Sequence, residues 1–370
     1  MPGLAGQSLR ETLLAAWAHR GWLACALLPL SLLYGLLLRV RRLLYAGGYL
    51  ATNRVDAVIV VVGNAIAGGA GKTPTVINVV ERLQLCGLHV GVVSAGFGGK
   101  YHDCVEVKAD STALEVGDEP ALIKFRCKVP VFVGKSRSAA AGALLARYPV
   151  TQIIVCDDGL QHYALSRDIE VCVFDDRGTG NGWLLPAGPL REPWPRRAGP
   201  QPWLVGASAP LVLHTDGRSS ECGYRAMRTL SDLASRRNGD TVSLQELDRE
   251  AGKPLFAIAA IARPELFFSM LCTLGLNLQG TLALADHFDF KQFQASRFAQ
   301  FQIICTEKDA VKLWDHVPDA LAVRLIQEPE PAFFSALETE VMNHHNARIS
   351  SRDGHKTSGT AGVPGHQGPA

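Results

Sequence analysis

The sequence predicts an α/β protein. A mainly parallel sheet is covered by helices on both faces, a smaller α/β unit follows toward the C-terminus, and an apolar helix precedes them. Three observations carry this. Short apolar runs recur at 57–62, 88–94, 129–133, 152–156 and 169–174, and stretches of helical periodicity alternate with most of them. Runs apolar throughout suit strands buried on both faces, as in a parallel sheet. A glycine-rich loop also links the first run to its helix, and the run at 152–156 ends in two aspartates.

The first element shapes the rest. Residues 57–62 stop at Gly63, and the loop carries Gly68, Gly69 and Gly71 before Lys72, Thr73 and Pro74. Val76, Ile77, Val79, Val80 and Leu83 then share a helical face. A strand, a tight loop and a helix N-terminus make an anion site, because free amides and the helix dipole both favour negative charge. Pro74 fits a first turn, where no N–H is missed. The stretch reads as a P-loop: Ile66, Ala67, Gly68, Gly69, Ala70, Gly71, Lys72 and Thr73 would cradle nucleotide phosphates, and the Thr73 hydroxyl would ligate Mg²⁺. Ile66 departs from the strict pattern, which has glycine there. The competing reading is a glycine-rich turn with a solvated lysine.

The chain has 370 residues, enough for two domains, with 47% hydrophobic and 19% charged residues. A net charge of +2 argues against a nucleic-acid binder. Nine scattered cysteines without a C-x-x-C pair read as reduced thiols of a cytosolic protein. No internal repeat is present.

Near the N-terminus, residues 21–38 carry no charge, and Arg39, Arg41 and Arg42 follow at once. Eighteen residues interrupted by Pro29 and Ser31 are short for a span. Nothing resembling a signal cleavage site closes the run. A single span and a helix dipping into one leaflet, its arginines against anionic lipid, both fit; a buried core helix is the alternative.

After the glycine loop, Gly87 is expected to end the first body helix, and 96–99 form a glycine-rich loop. Asp118 is placed to N-cap a helix, with Pro120 in its first turn. Residues 136–148 form an alanine-rich helix. Asp157 and Asp158 end a buried strand opposite the Lys72 loop, where a carboxylate can hold Mg²⁺; a plain turn aspartate is the alternative. Residues 178–202 are rich in Gly, Pro and Arg, and Arg191 there could hold an acidic ligand. The expected division is 1–45 as a membrane-associated helical segment, 46–218 as the P-loop domain, and 219–252 as a linker or surface excursion. A smaller α/β domain at 253–348 and a disordered tail at 349–370 complete it. Asp286 and His287 follow a strand in that smaller domain.

Taken in order, these motifs resemble the tetraacyldisaccharide 4′-kinase family: V-G-N and G-G-x-G-K-T-P within 62–74, G-D-E-P at 117–120, D-D-G-x-Q-H at 157–162, L-P-A-G-P-L-R-E-P at 185–193, R-P-E-x-F-F at 263–268, D-H at 286–287 and T-E-K-D-A-V at 306–311. The family tolerates a non-glycine at Ile66. The resemblance implies ATP-dependent phosphorylation of the 4′-hydroxyl of a lipid-linked glucosamine disaccharide, with Mg²⁺, at the cytoplasmic face of a Gram-negative inner membrane. It implies the inner membrane lipid surface as a partner and leaves the oligomeric state open, a monomer being compatible. It implies that Lys72 and Thr73 belong to the P-loop and that Asp118 and His287 form a catalytic dyad. It also implies that Asp157, Asp158 and Glu192 surround metal and nucleotide, and that Arg191 and His162 line the same cleft. Two positions depart from the family: Ala95 stands where a basic residue is usual, and Phe288 follows Asp286-His287. Both bear on substrate affinity. A membrane-tethered P-loop ATPase switch is the alternative; such switches carry a lysine just before the two glycines, where this chain has Ala67. A non-catalytic, membrane-tethered nucleotide-binding protein is a third reading.

Overall fold

The computed structural model describes residues 12–357 except 97–98, 100–102, 197–200, 206–208, 216–222 and 251. A short helical stretch at 12–18 precedes α1 (Trp22–Ala46). The body then runs β1 (Val58–Gly63), α2 (Lys72–Leu85), β2 (Val90–Ser94), β3 (Val105–Glu106), α3 (Ala113–Val116), α4 (Asp118–Cys127), β4 (Val131–Val133), α5 (Arg137–Arg147), β5 (Ile153–Asp157), β6 (Ile169–Phe174) and β7 (Leu211–His214). After it come β8 (Tyr224–Ser235), β9 (Thr241–Ser243), α6 (Leu244–Glu250), β10 (Leu255–Ala259), α7 (Pro264–Thr273), β11 (Leu278–Ala283), β12 (Gln302–Thr306), α8 (Glu307–Leu313), β13 (Leu321–Pro329) and α9 (Pro331–Thr357).

Among the described residues the strands join one 13-stranded sheet in the order β11-β10-β12-β13-β8-β7-β6-β1-β5-β2-β4-β3, with β9 beside β8. Pairing is parallel around β1, which lies between β5 and β6, and around β10, which lies between β11 and β12. Every residue of β1 is buried. Val58, Val60 and Val62 pack toward α2 and α4, while Ala57, Ile59 and Val61 pack toward Ala140, Ala141 and Leu144 of α5. This two-sided cover explains why the strand carries no polar alternation.

Three boundaries differ from the sequence expectation. Residues 219–252, read as a linker or surface excursion, contain β8. Its start pairs with β7, and from Ala226 to Ser235 it runs antiparallel to β13, so it welds the two halves of the sheet. Only Ala226, Leu230 and Ala234 along it are buried, so the segment reads as charged surface in sequence. The tail expected to be disordered, 349–370, begins within α9, which continues through residue 357; residues 358–370 lie outside the described residues. The same helix falls within the expected smaller domain, but Phe333, Leu337 and Val341 are buried in the core of the first half. Asp118 is also not a cap: Gly117 is the N-cap, with φ of 94°, and Asp118 is the first helical residue.

Candidate active site

β1 delivers the chain to the loop at Gly63, and Asn64 braces that loop from inside. Its Nδ2 donates to the Gly68 carbonyl at 2.9 Å, while its Oδ1 accepts from Arg191 Nη1 at 3.1 Å and Lys72 Nζ at 3.4 Å. Gly68 and Gly71 have φ of 94° and 85°, a left-handed backbone that glycine adopts without Cβ strain. Arg177 donates to the carbonyls of Ala67 and Gly69, at 3.1 and 3.2 Å, and Arg228 to that of Ala70 at 3.0 Å. The loop's carbonyls are thus held by fixed cations. α2 starts at Lys72, so its first-turn amides have no intrahelical partner.

Ala67, Gly68, Gly69, Gly71, Lys72 and Thr73 line a cleft of about 800 Å³ between the two halves of the sheet. Ile66 and Ala70 do not; both are buried, and Ile66 bridges to Leu190. The Ala67 amide is taken by the Pro189 carbonyl at 2.8 Å. The Ala67 amide is therefore taken from phosphate, whereas Ile66 and Ala70, with buried side chains, would meet phosphate only through their backbone. The loop must also pack against the body, and its small apolar side chains do so.

Asp157 closes β5, and its Oδ2 accepts from Ser94 Oγ at 3.0 Å. Its Oδ1 is buried with no partner. Burial, with Glu119 and Asp158 nearby, pushes this carboxyl up to about 7. For Asp158, burial works the same way, but Lys72 and Arg191 outweigh it and hold the carboxyl below its usual value. Arg191 Nη1 stands 2.9 Å and Lys72 Nζ 3.7 Å from its Oδ1. An orphaned buried carboxylate oxygen beside a second carboxylate suits a hard cation such as Mg²⁺. Among the described residues no three His, Cys, Asp or Glu side chains converge. A divalent ion here would be held by Asp157, Asp158 and the Thr73 hydroxyl, completed by phosphate oxygens and water.

Across the cleft, Asp118 Oδ2 meets His287 Nδ1 at 3.1 Å and Lys312 Nζ at 2.9 Å. His287 adopts φ of 63°, and its Nε2 stands 3.4 Å from Lys308 Nζ. Asp118 comes from the first half of the sheet and the other three from the second. Burial opposes the charged form of Asp118, but the hydrogen bonds from His287 and Lys312 and the lysine charges hold its carboxyl below the usual range.

Two expected site residues lie elsewhere. Glu192, expected at the metal, is fully buried and held by Arg42 and Arg196, each at 2.8 Å, and by Gln161 at 2.8 Å. It anchors α1, and its oxygens are spent on cations from two elements. His162, expected in the cleft, has its Nε2 taken by the Arg137 amide at 3.3 Å. Burial and the charges of Arg137, Arg167 and Arg41 push it down to about 4. Arg191 does line the cleft. Sequence reading gave no role to Asn64 and Lys308, although both stand in the V-G-N and T-E-K-D-A-V motifs, and it missed Arg177, Arg228 and Lys312.

α1 is 25 residues long and apolar enough to cross a membrane, with a mean hydropathy of 2.0 over its best window. It is not free-standing. Ser31 Oγ donates to the Leu184 carbonyl, Tyr34 to that of Arg191, and Arg42 to Glu192. Its other side exposes Leu32, Leu33, Leu36, Leu37 and Leu43.

The model of the family described as Tetraacyldisaccharide-1-P 4′-kinase matches residues 23–343. A Tetraacyldisaccharide 4′-kinase of Polaromonas naphthalenivorans (strain CJ2) is 49% identical over 355 residues, 95% of this chain and 100% of that protein. One from Acidovorax sp. (strain JS42) is 50% identical, covering 90% of this chain and 95% of its own. Among solved structures, LpxK from Aquifex aeolicus in complex with ATP superposes with a TM-score of 0.71 at 24% identity, covering 87% of this chain and 99% of that one; it supports the fold.

Proposed function

The chain belongs to the tetraacyldisaccharide-1-P 4′-kinase family, and from that premise we propose how its residues divide the reaction. It transfers the γ-phosphoryl group of ATP to the 4′-hydroxyl of a tetraacyl glucosamine disaccharide 1-phosphate, giving lipid IVA in lipid A biosynthesis. Lys72 and the amides around Gly68–Gly71 hold the triphosphate. Asp118 takes the hydroxyl proton as the sugar oxygen attacks phosphorus, the bond to the β,γ-bridging oxygen breaks, and ADP leaves. His287 orients Asp118 and carries the proton onward. Arg191 keeps Asp158 charged and faces the phosphates. Mg²⁺, when bound, neutralises charge on the phosphate oxygens. Most of the work is positioning and electrostatics.

The observation that carries this assignment is the 3.1 Å Asp118–His287 contact, which joins the two halves across the cleft from Lys72. A switch of the deviant P-loop type would have no use for such a pair. The test is incubation of detergent-solubilised protein with labelled ATP and a lipid disaccharide monophosphate. Bisphosphate should form, and Asp118→Asn should lose about 10²–10⁴-fold in rate with ATP binding unchanged. Near-wild-type transfer by that variant would remove Asp118 as base.

The site of action proposed with this reading is the cytoplasmic face of the inner membrane, and α1 supports it: Ser31, Tyr34 and Arg42 bond one flank to the body while the other flank exposes leucines, which suits a helix lying in one leaflet. The amphiphilic substrate then reaches the cleft from the lipid surface.

A further inference from the structure

Lys312 is a buried lysine, with 6% of its surface exposed. An ammonium taken out of water is costly unless paired and hydrogen-bonded. Its partner is Asp118, 194 residues away in sequence and on the other half of the sheet. Lys312 and His287 both bond Oδ2, so Oδ1 carries neither bond. α8 is itself fixed: Thr306 caps it by accepting from the Asp309 amide at 3.2 Å, and Asp309 accepts from the Ala260 amide at 3.0 Å. The lysine therefore stands on a rigid element aimed at the base.

We propose that Lys312 is a positioning residue for the transfer: it pins the Asp118 carboxylate through Oδ2, so that Oδ1 is presented to the sugar hydroxyl. The inference rests on Asp118 being the base. His287 alone would leave that carboxylate free to turn about a single hydrogen bond. Two donors from two elements, α8 and the loop after β11, remove that freedom, and small misplacements of reacting groups are costly in rate. The charged groups facing this site are His287 and Asp286 from the loop, Lys308 and Lys312 from α8, and Glu119 beside Asp118 on α4. Lys308 stands 3.5 Å from Asp286 and 4.0 Å from Glu119, so its charge is already shared. Lys312 is the cation on Asp118 itself.

The test is the transfer assay across pH for wild type, Lys312→Met and Lys312→Arg. Loss of the cation favours the protonated base, so the acid limb of kcat/KM in Lys312→Met should move to higher pH by about one unit. Its kcat should fall about 10–100-fold, with KM for ATP unchanged. Lys312→Arg should keep the limb in place and recover part of the rate. In Lys312→Met, a rate loss with an unmoved limb would mark a merely structural lysine and overturn the proposal, as would an unaffected rate. Should the methionine variant not fold, the arginine variant decides: a retained limb supports the proposal and a displaced one overturns it. A wild-type protein without transfer would instead defeat the kinase assignment. An active wild type with an inert Asp118→Asn and an indifferent Lys312→Met would defeat Lys312 alone.

Discussion

Asp157 and Asp158 are adjacent in sequence but opposite in acid strength. Asp157 has one hydroxyl donor and one orphaned oxygen, while Asp158 faces Arg191 and Lys72. Burial raises Asp157 to about 7, so between about pH 4, the unfolded value, and pH 7 the folded state keeps a proton that the unfolded state has released. Stability therefore falls as pH rises through that window, and the full penalty stands above it. Asp157→Asn removes the penalty along with the carboxylate proposed to hold Mg²⁺. In Mg²⁺-free buffer its Tm should exceed that of wild type, with the gap wider at pH 8 than at pH 5. A constant or reversed gap would show that Asp157 is not strained by burial.

At the scale of elements, α1 and the loop residues 178–196 form one unit around Glu192. The carboxylate is buried, and burial would neutralise it, but Arg196, Gln161 and Arg42 keep it charged. Removing one side of such a network costs about 3–5 kcal/mol, because the partner charges stay behind. Glu192→Ala should lower Tm and open α1 to proteolysis, with the Mg²⁺ dependence of transfer unchanged in whatever active fraction remains. A shifted Mg²⁺ requirement at normal Tm would return Glu192 to the metal. The exposed flank of the same helix gives a second expectation. Leu36→Asp with Leu43→Asp should weaken binding to anionic vesicles, measured by flotation, while leaving ATP binding intact. Undiminished flotation would mean that α1 is not the membrane contact.

Over the whole molecule, the two halves are held together by more than a connector. β8 and β13 form the seam, and Gln327 on β13 donates to Thr75 Oγ1 at 2.7 Å while its carbonyl takes Asn78 Nδ2 at 2.6 Å. Both partners lie on α2, the helix that follows the glycine loop. α9 then crosses back over the first half and buries Phe333, Leu337 and Val341 against it. A chain ending at residue 330 should therefore lose cooperative unfolding and ATP binding together, read by calorimetry and nucleotide titration. Wild-type ATP affinity in the truncated chain would mean that α9 is dispensable to the nucleotide half. The exposed Arg263–Asp176 pair also bridges the halves, but surface pairs contribute little.

Features that rest on neighbouring residues were legible in the chain directly. The buried run before Gly63, the glycines at the two left-handed positions, the start of α2 at Lys72 and the acid pair ending β5 all follow from local sterics, hydrogen bonding and apolar periodicity. The Asp118–His287 contact was legible only through a family resemblance, since 169 residues separate the two. What each buried charge meets is a matter of tertiary structure. Nothing near Glu192 in sequence says that Arg42 will reach it, and nothing near Lys312 says that Asp118 will. Chain distance carries no information about such partners. A buried ion's role is set by the opposite charge that the fold brings within about 3 Å, because in a low-dielectric interior that contact decides whether the group is charged at all.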